Sequence, residues 1–441
     1  MNRSVGRSIC DVAVLIVAYR AAAKLDACLR SVEAFLPDSS VHVWDNSGVD
    51  HHDVRELATR WPRVNWHLGS ANLGFAAAVN RLVETIPDGH IFLLNPDAEL
   101  TSALPATFAL LNDARIAAVA PLVIEHDDSA GSDRSPFTRR PARWDVAHKK
   151  LTLLNALFSR TAAGPLLRGT PLSNLYRRPP IEVDGYLTGA CLVINRAAWD
   201  QVGTFDESYF LYGEEGDWQW RARNAGWRLV LADEIGAIHR AKGTVTGDSS
   251  GSSRSSDLLE ANIALQLQAQ RGAGSADKFL AGATALDGLK RLVRRVPASR
   301  MPESVVIVVD DRGADRQANG QVALACELAR TGHSVCVVSL GPLGGLATSL
   351  PTSVRLVRRP WWVTSVPLVG RRSVLVVGST ARERAYARLW RLRPGRSSVA
   401  YDYAGSAVVK GRGNRHKAAD VAAAAHQISA SATTALTREE C

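Results

Sequence analysis

The feature that most constrains this chain is the rhythm of its first hundred residues, where short apolar runs alternate with stretches of helical spacing. Val12–Ala18 (VAVLIVA) is a run of the kind that forms a strand buried on both faces of a parallel sheet. Residues 21–36 then place Leu25, Leu29, Val32 and Phe35 along one helical side. A strand over 41–44 stops at the turn signal Asp45-Asn46-Ser47-Gly48, and a helix (53–60), a strand (64–68), a helix (75–85) and a strand (91–94) follow. This alternation predicts an α/β fold, a parallel sheet with helices on both faces. Ligands of such sheets sit where loops leave the carboxyl ends of the strands, which singles out Tyr19, Asp45 and the segment after Leu94.

Farther along, a basic, Pro-interrupted stretch (134–180) precedes a strand-then-helix pattern at 185–199, a helix at 217–225 and a strand at 229–231. Residues 247–256 (GDSSGSSRSS) have the composition of a flexible linker. A helical region to about 296 leads to a second alternating module that opens at 304–309. The expected organisation is a tail (1–10), an α/β domain (11–246), a Ser-rich linker with a helical region (247–302) and a Rossmann-like module (303–441). With 46% apolar and 22% charged residues the chain can bury a real core, yet no run approaches the roughly 18 apolar residues of a membrane span. The N-terminus lacks the apolar region of a signal peptide. The six cysteines (10, 28, 191, 326, 336 and 441) form no C-x-x-C pair, so reduced thiols and a cytoplasmic location are expected. The net charge of +10 crowds into 134–178 and 290–300, which suits phosphate-bearing ligands, an anionic membrane face or simply a solvated surface. No helix-turn-helix, RNP-like or zinc-finger pattern directs it at nucleic acid.

Several polar groups fall at the predicted strand ends. Asn95-Pro96-Asp97-Ala98-Glu99 follows the strand IFLL, where Asp97 can offer a carboxylate to a divalent cation with Asn95 on the same side; N-P-D is also a common turn. Asp45 and Asn46 can hydrogen-bond a pyrimidine ring or form an ordinary turn. Asn72-Leu73-Gly74-Phe75-Ala76, with Asn80 beyond, offers amides beside a glycine that permits close backbone approach, or an N-cap at Asn72. Glu214-Glu215-Gly216-Asp217 gathers three carboxylates behind Tyr209-Phe210-Leu211-Tyr212. That setting suits a general base, an acidic helix start, or both, with Glu215 free and Asp217 capping. His239 suits a late metal ligand or a structural role.

Taken in order, VAVLIVAYR, WDNS, NLGFAAAVN, LLNPDAEL, GYLTGACLVINRAAWDQVGTFDESYFLYGEEGDWQWRARNAGW and AIHR resemble glycosyltransferase family 2 over about residues 11–245, most closely its rhamnosyltransferase-like branch. The resemblance implies a GT-A nucleotide-diphospho-sugar transferase domain, an inverting mechanism and a divalent cation, Mg2+ or Mn2+. It also implies a dTDP- or UDP-linked donor and a glycan or lipid-linked acceptor of cell-envelope polysaccharide synthesis. By position, Ala18, Tyr19, Asp45 and Asn46 resemble the nucleotide site, and Asn72, Gly74 and Phe75 the donor loop. Asn95 and Asp97 resemble the family's D-x-D, with Asp97 and His239 as metal ligands, and Gly189-Ala190 the pair below the donor sugar. Glu215 falls at the catalytic base, with Glu214 its rival, and Phe205-Asp206-Glu207 at a structural segment. Trp218 and Arg221 follow on the same helix, where Trp218 suits either an acceptor sugar or the core. Departures are Ala18-Tyr19-Arg20 where the family often has Thr-Tyr-Asn, Asn95 for the first Asp of D-x-D, and Glu at 215 where Asp is usual. Leu151, Leu153, Leu154, Ala156, Leu157 and Phe158 lie within the basic stretch, as a peripheral contact with anionic lipid at the inner membrane face or as a buried lid.

In the second module, SVVIVV ends at Asp310-Asp311, and Gly332-His333-Ser334 turns into VCVVSL. This resembles the first half of a GT-B glycosyltransferase, which the segment ISASATTALTREEC would close. A phospho-receiver reading fails because 374–377 ends in Gly378-Ser379 without an Asp, and a dinucleotide site lacks G-x-G-x-x-G. The rival to an enzyme is a catalytically inactive glycan- or nucleotide-binding scaffold, which intact Asp97, Glu215 and His239 argue against.

Overall fold

A computed structural model describes residues 11–49, 51–126, 142–143, 145–161, 164–240, 249–293, 303–310, 315–366, 369–370, 373–393, 397–401, 407–411, 421 and 423. The chain forms two compact units, Met1–Gly247 and Asp248–Cys441.

The first unit opens with the expected alternation: β1 (Val12–Ala18), α1 (Ala22–Phe35), β2 (Ser40–Asp45), α2 (Asp53–Arg60), β3 (Asn65–Leu68), α3 (Phe75–Glu84) and β4 (His90–Leu94). There follow β5 (Ala98–Leu100), α4 (Pro105–Leu110), β6 (Ile116–His126), β7 (Ala142–Arg143), β8 (Ala147–Lys149) and α5 (Leu153–Ser159). The unit closes with β9 (Gly185–Leu187), β10 (Cys191–Ile194), α6 (Arg196–Val202), α7 (Glu214–Asn224) and β11 (Arg228–Arg240). The main sheet has the order β3-β2-β1-β4-β10-β6-β11-β5, with β7 beside β6. Every residue of β1 is buried, as its unbroken apolar run requires.

The sheet is mixed rather than purely parallel. β3, β2, β1 and β4 run parallel, whereas β10 lies antiparallel between β4 and β6, and β5 antiparallel to β11. A short apolar run shows that a strand is buried, not which way it points. Two boundary shifts bear on the site. α7 begins at Glu214, so both glutamates belong to its first turn, and β11 extends through His239.

The second unit contains α8 (Ser249–Arg271), α9 (Ala273–Val293), β12 (Val305–Val309), α10 (Asp315–Arg330), β13 (Val335–Ser339) and α11 (Gly344–Ser349). β14 (Arg355–Arg358), β15 (Val374–Val377), α12 (Ala381–Arg391), β16 (Ser397–Tyr401) and β17 (Ala407–Gly411) complete it. Its sheet, β14-β13-β12-β15-β16-β17, is parallel except for β17 and packs Val306, Val338, Leu375, Tyr386 and Trp390 into one core. The expected linker at 247–256 is helical from Ser249 onward. Tertiary contacts overrule its composition: buried Arg254 donates to the Val354 and Ala347 carbonyls, Asp257 pairs with Arg355, and Glu260 pairs with Arg359. Asp310 is engaged by Arg382 and Thr380, while Asp311 and the segment 428–441 lie outside the described residues. Cys28, Cys191 and Cys336 are buried free thiols and Cys326 is a half-buried one; Cys10 and Cys441 lie outside the described residues.

Candidate functional site

At the carboxyl ends of β1 and β2, Ala18 and Asp45 lie level in register. Buried Ala18 accepts the Asn46 N–H at 2.8 Å, and the Arg20 N–H donates to Ser47 Oγ at 2.7 Å. Arg20 and Ala21 are both left-handed (φ 52° and 70°), which turns the chain out of the strand and leaves Tyr19 half-buried under the Arg20 guanidinium. Asp45 is fully buried. Its Oδ1 accepts the Ser47 N–H at 2.8 Å, but its Oδ2 has no partner. A buried acceptor left unmade is costly, so this oxygen suits an N–H brought by a ligand.

Asn46 plays a different part from the one expected. Its Oδ1 accepts from Trp44 Nε1 and the Leu73 N–H, and its Nδ2 donates to the Gly74 carbonyl. Its oxygen and one of its two amide N–H groups are taken by the protein, so it braces the 72–75 loop. Asn72 does not cap α3; it accepts the Gly74 N–H in a local turn. Gly74 has φ +86°, and a Cβ there would lie 2.4 Å from the Phe210 carbonyl oxygen. The Phe75 N–H donates to that same oxygen at 2.7 Å. The glycine therefore admits the aromatic segment that leads to the glutamates.

At the β4–β5 turn, buried Asp97 faces His239 across the β5–β11 pairing, with Nε2 3.3 Å from Oδ1. The register sets His239 opposite Ala98, and the Arg240 N–H donates to the Asp97 carbonyl at 2.9 Å. The Asn95 N–H donates to the Ala190 carbonyl at 2.9 Å, tying this turn to the Gly189-Ala190 pair. Two cationic groups were missed in the sequence: Arg240, which ion-pairs with Glu99, and Lys24, whose Nζ donates to the Arg240 carbonyl. Arg240 adjoins a motif histidine, but nothing in sequence marks Lys24. Among the described residues no three His, Cys, Asp or Glu side chains cluster as a complete cage. One carboxylate with one imidazole fits a divalent cation that takes its other ligands from a bound diphosphate.

The third part of the site is the start of α7. Glu215 lies against Gly189, whose Cβ position is 3.7 Å from Glu215 Cγ. Burial pushes the Glu215 carboxyl up from its ordinary value, and backbone N–H groups, Gly213 and Gly189 among them, pull it back. The Gly213 bond measures 3.1 Å, so Glu215 is not free of the helix start. Glu214 is buried, with Oε2 lacking a partner; burial first and the Glu215 charge second push its carboxyl well up. Asp217 does not cap: it sits one turn in, where its carboxylate pairs with Arg221 at 3.0 Å and receives the Tyr209 hydroxyl. Burial raises it against that pairing.

The two expected acceptor residues are corrected. Trp218 is fully buried, donates to the Gly203 carbonyl at 2.8 Å and stacks on Trp199, so no sugar reaches it. Arg221 donates to Asp217 and to the Val202 and Thr204 carbonyls, fixing the 202–204 turn. A residue missed in the sequence takes a place near the glutamates: Tyr186 on β9, stacked on His148 and raised by burial and by the Glu215 charge. Gln219 clamps β9 to α7 through both backbone groups of Leu187. The segment Phe205-Asp206-Glu207 is structural support, because the buried Asn80 amide bonds the backbone of Phe205 and the Glu207 carboxylate.

Residues 10–240 match the family described as Glycosyltransferase like family 2. The N-acetylglucosaminyl-diphospho-decaprenol L-rhamnosyltransferase of Mycobacterium tuberculosis is 28% identical over 247 residues, covering 51% of this chain and 75% of that protein. Among solved structures, the mannosyltransferase PcManGT from Pyrobaculum calidifontis, in complex with GDP-Man and Mn2+, aligns at 12% identity and TM-score 0.36 over 67% of this chain and 83% of its own. S. aureus TarS aligns at 12% identity and TM-score 0.36, over 63% and 43%. The family match covers more than half of the chain and includes every residue of the site above, so the chain belongs to the glycosyltransferase 2 family and is a glycosyltransferase.

Proposed function

We propose that this enzyme transfers a sugar with inversion from a dTDP- or UDP-linked donor to a glycan or lipid-linked glycan acceptor in cell-envelope polysaccharide synthesis. The likeness to a rhamnosyltransferase supports rhamnose as the sugar. The observation that carries the reading is the convergence of Asp97 and His239, 3.3 Å apart, with Glu215 beyond the Asn95–Ala190 backbone link.

In the proposed mechanism the unpartnered Asp45 Oδ2 accepts the imide N–H of a pyrimidine base. Asp97 and His239 would hold Mg2+ or Mn2+, whose charge offsets that of the departing diphosphate. Glu215, kept ionisable by the N–H groups around it, takes the proton from the acceptor hydroxyl. That oxygen forms a bond to the anomeric carbon as the carbon–diphosphate bond breaks on the opposite face, which inverts the centre. The test is calorimetric titration of the purified chain with dTDP and UDP, with and without Mn2+. Tight, metal-dependent binding of one nucleotide, lost in Asp97→Ala, is expected; binding of neither by a folded protein overturns the donor-site assignment.

For a lipid-linked acceptor, we place the membrane contact on the 145–184 segment. In that segment Leu154, Leu166 and Ile181 are exposed, as are Arg177 and Arg178. Part of the local charge is neutralised by the pairs Arg168–Asp145 and Lys150–Asp184. Among the described residues no helix is long and apolar enough to cross a membrane, so work at the cytoplasmic face would be peripheral. Flotation with vesicles containing anionic lipid is the check, and failure to float refutes the contact.

A further inference from the structure

Glu214 and Glu215 are consecutive on the first turn of α7 but meet different surroundings. Glu215 packs on Gly189 and accepts the Gly213 N–H. Glu214 is 3% exposed, its Oε2 has no hydrogen-bond partner, and among the described residues no Lys, Arg or His forms an ion pair with it. The arginine one helical stretch away, Arg221, is committed to Asp217 and two backbone carbonyls. A carboxylate buried without a cation is expensive, and a second negative charge beside it makes it more so.

Resting on the reading of Glu215 as the base, we propose that Glu214 holds the one proton of this carboxylate pair and is a positioning residue that leaves Glu215 the only charged carboxylate of the two. The helix start favours one negative charge in its first turn, and the backbone N–H groups of Glu215, Gly213, Gly189 and Gly216 favour it on Glu215, against those of Glu214 and Tyr212 on Glu214. The upward push on the Glu214 carboxyl, from burial and then from Glu215, has the direction this requires. The other titratable and charged groups around the pair are Asp217 and Arg221 on α7, Tyr209 and Asp206 in the preceding loop, and Tyr186 on β9. None of these supplies a free cation to Glu214.

The experiment is urea unfolding of the full chain, wild type against E214Q, across acid to alkaline pH. The Glu214 carboxyl is raised in the folded state, so its contribution is complete below the ordinary glutamate range and is lost as pH rises through its folded value. Across that window the wild-type folding constant should fall about tenfold per pH unit relative to E214Q, one proton being released only on unfolding. Parallel curves for the two proteins overturn the proposal. In turnover, the acid limb set by Glu215 should stay in place in E214Q, since a neutral group replaces a neutral group; a limb displaced to lower pH means that Glu214 is charged and also overturns it. If E214Q does not fold, Glu214→Met supplies a second neutral side chain, for which the same unfolding slope is expected. Near-normal turnover of Glu215→Gln would remove the base reading by itself, while the unfolding comparison would still decide where the proton sits.

Discussion

Replacing Gly74 with alanine strikes the joint between the 72–75 loop and the segment that carries the glutamates. Gly74 has φ 86° and ψ 176°. That region is essentially reserved for glycine and costs another residue about 1–3 kcal/mol. The added Cβ would also meet the Phe210 carbonyl oxygen at 2.4 Å and its Cδ2 at 2.8 Å, so Phe210 must move. Forcing an extra methyl into a packed site costs about 1–3 kcal/mol more. The sum, about 2–6 kcal/mol, is a large fraction of the stability of an ordinary domain. Gly226→Ala is the control: its φ is +92° and nothing lies within 4 Å of its Cβ position, so only the backbone cost of about 1–2 kcal/mol applies. Urea unfolding followed by tryptophan fluorescence would measure both, and calorimetry would show weakened nucleotide binding in Gly74→Ala alone. If the two variants agree within about 0.5 kcal/mol, the contact with Phe210 is not what the glycine serves, and the reasoning is refuted.

Three other outcomes follow from the same geometry. Glu215→Gln should lose about 10²–10⁴-fold in turnover with nucleotide binding retained; near-normal turnover removes Glu215 from the mechanism. Trp218→Ala should destabilise the first unit by about 3–5 kcal/mol, as a fully buried tryptophan does, whereas a stable protein with a raised acceptor KM would return Trp218 to the acceptor site. In the second unit, Glu260→Ala leaves Arg359, 1% exposed, without the carboxylate 2.7 Å away. The expected loss is about 3–5 kcal/mol, largely recovered when Arg359 is made Met as well; an unfolding scan showing no change would mean that the pair is not buried in solution.

The elements easiest to read in the sequence were those whose burial leaves a periodic mark. β1 is apolar at every position because both of its faces are covered, and α2 occupies 53–60 as its apolar spacing requires. Strand direction leaves no such mark: the sequence shows a strand in 185–199 but not that β10 lies antiparallel within a sheet otherwise expected to be parallel. α8 was hidden for a different reason. Its serines have linker composition, and its helicity rests on Arg254, Asp257 and Glu260 meeting partners 93 to 100 residues downstream. Local propensity carries no information about a contact at that range.

The site divides along the same line. A motif shows which polar side chains sit at a strand end, but whether a side chain is available to a ligand depends on how much of its hydrogen-bonding capacity the fold has already used. Asp45 and Asn46 are adjacent and chemically alike, and sequence reasoning gave them one role. The structure separates them: Asn46 spends its oxygen and one N–H on Trp44, Leu73 and Gly74, while one Asp45 oxygen is left over in a buried place. The Trp218 indole N–H is likewise spent on Gly203, and Arg221 is held by Asp217, Val202 and Thr204. Residual capacity in a buried polar atom is costly unless something arrives to use it. That cost distinguishes a residue kept for the fold from one kept for a substrate, and it becomes visible only after the chain has closed on itself.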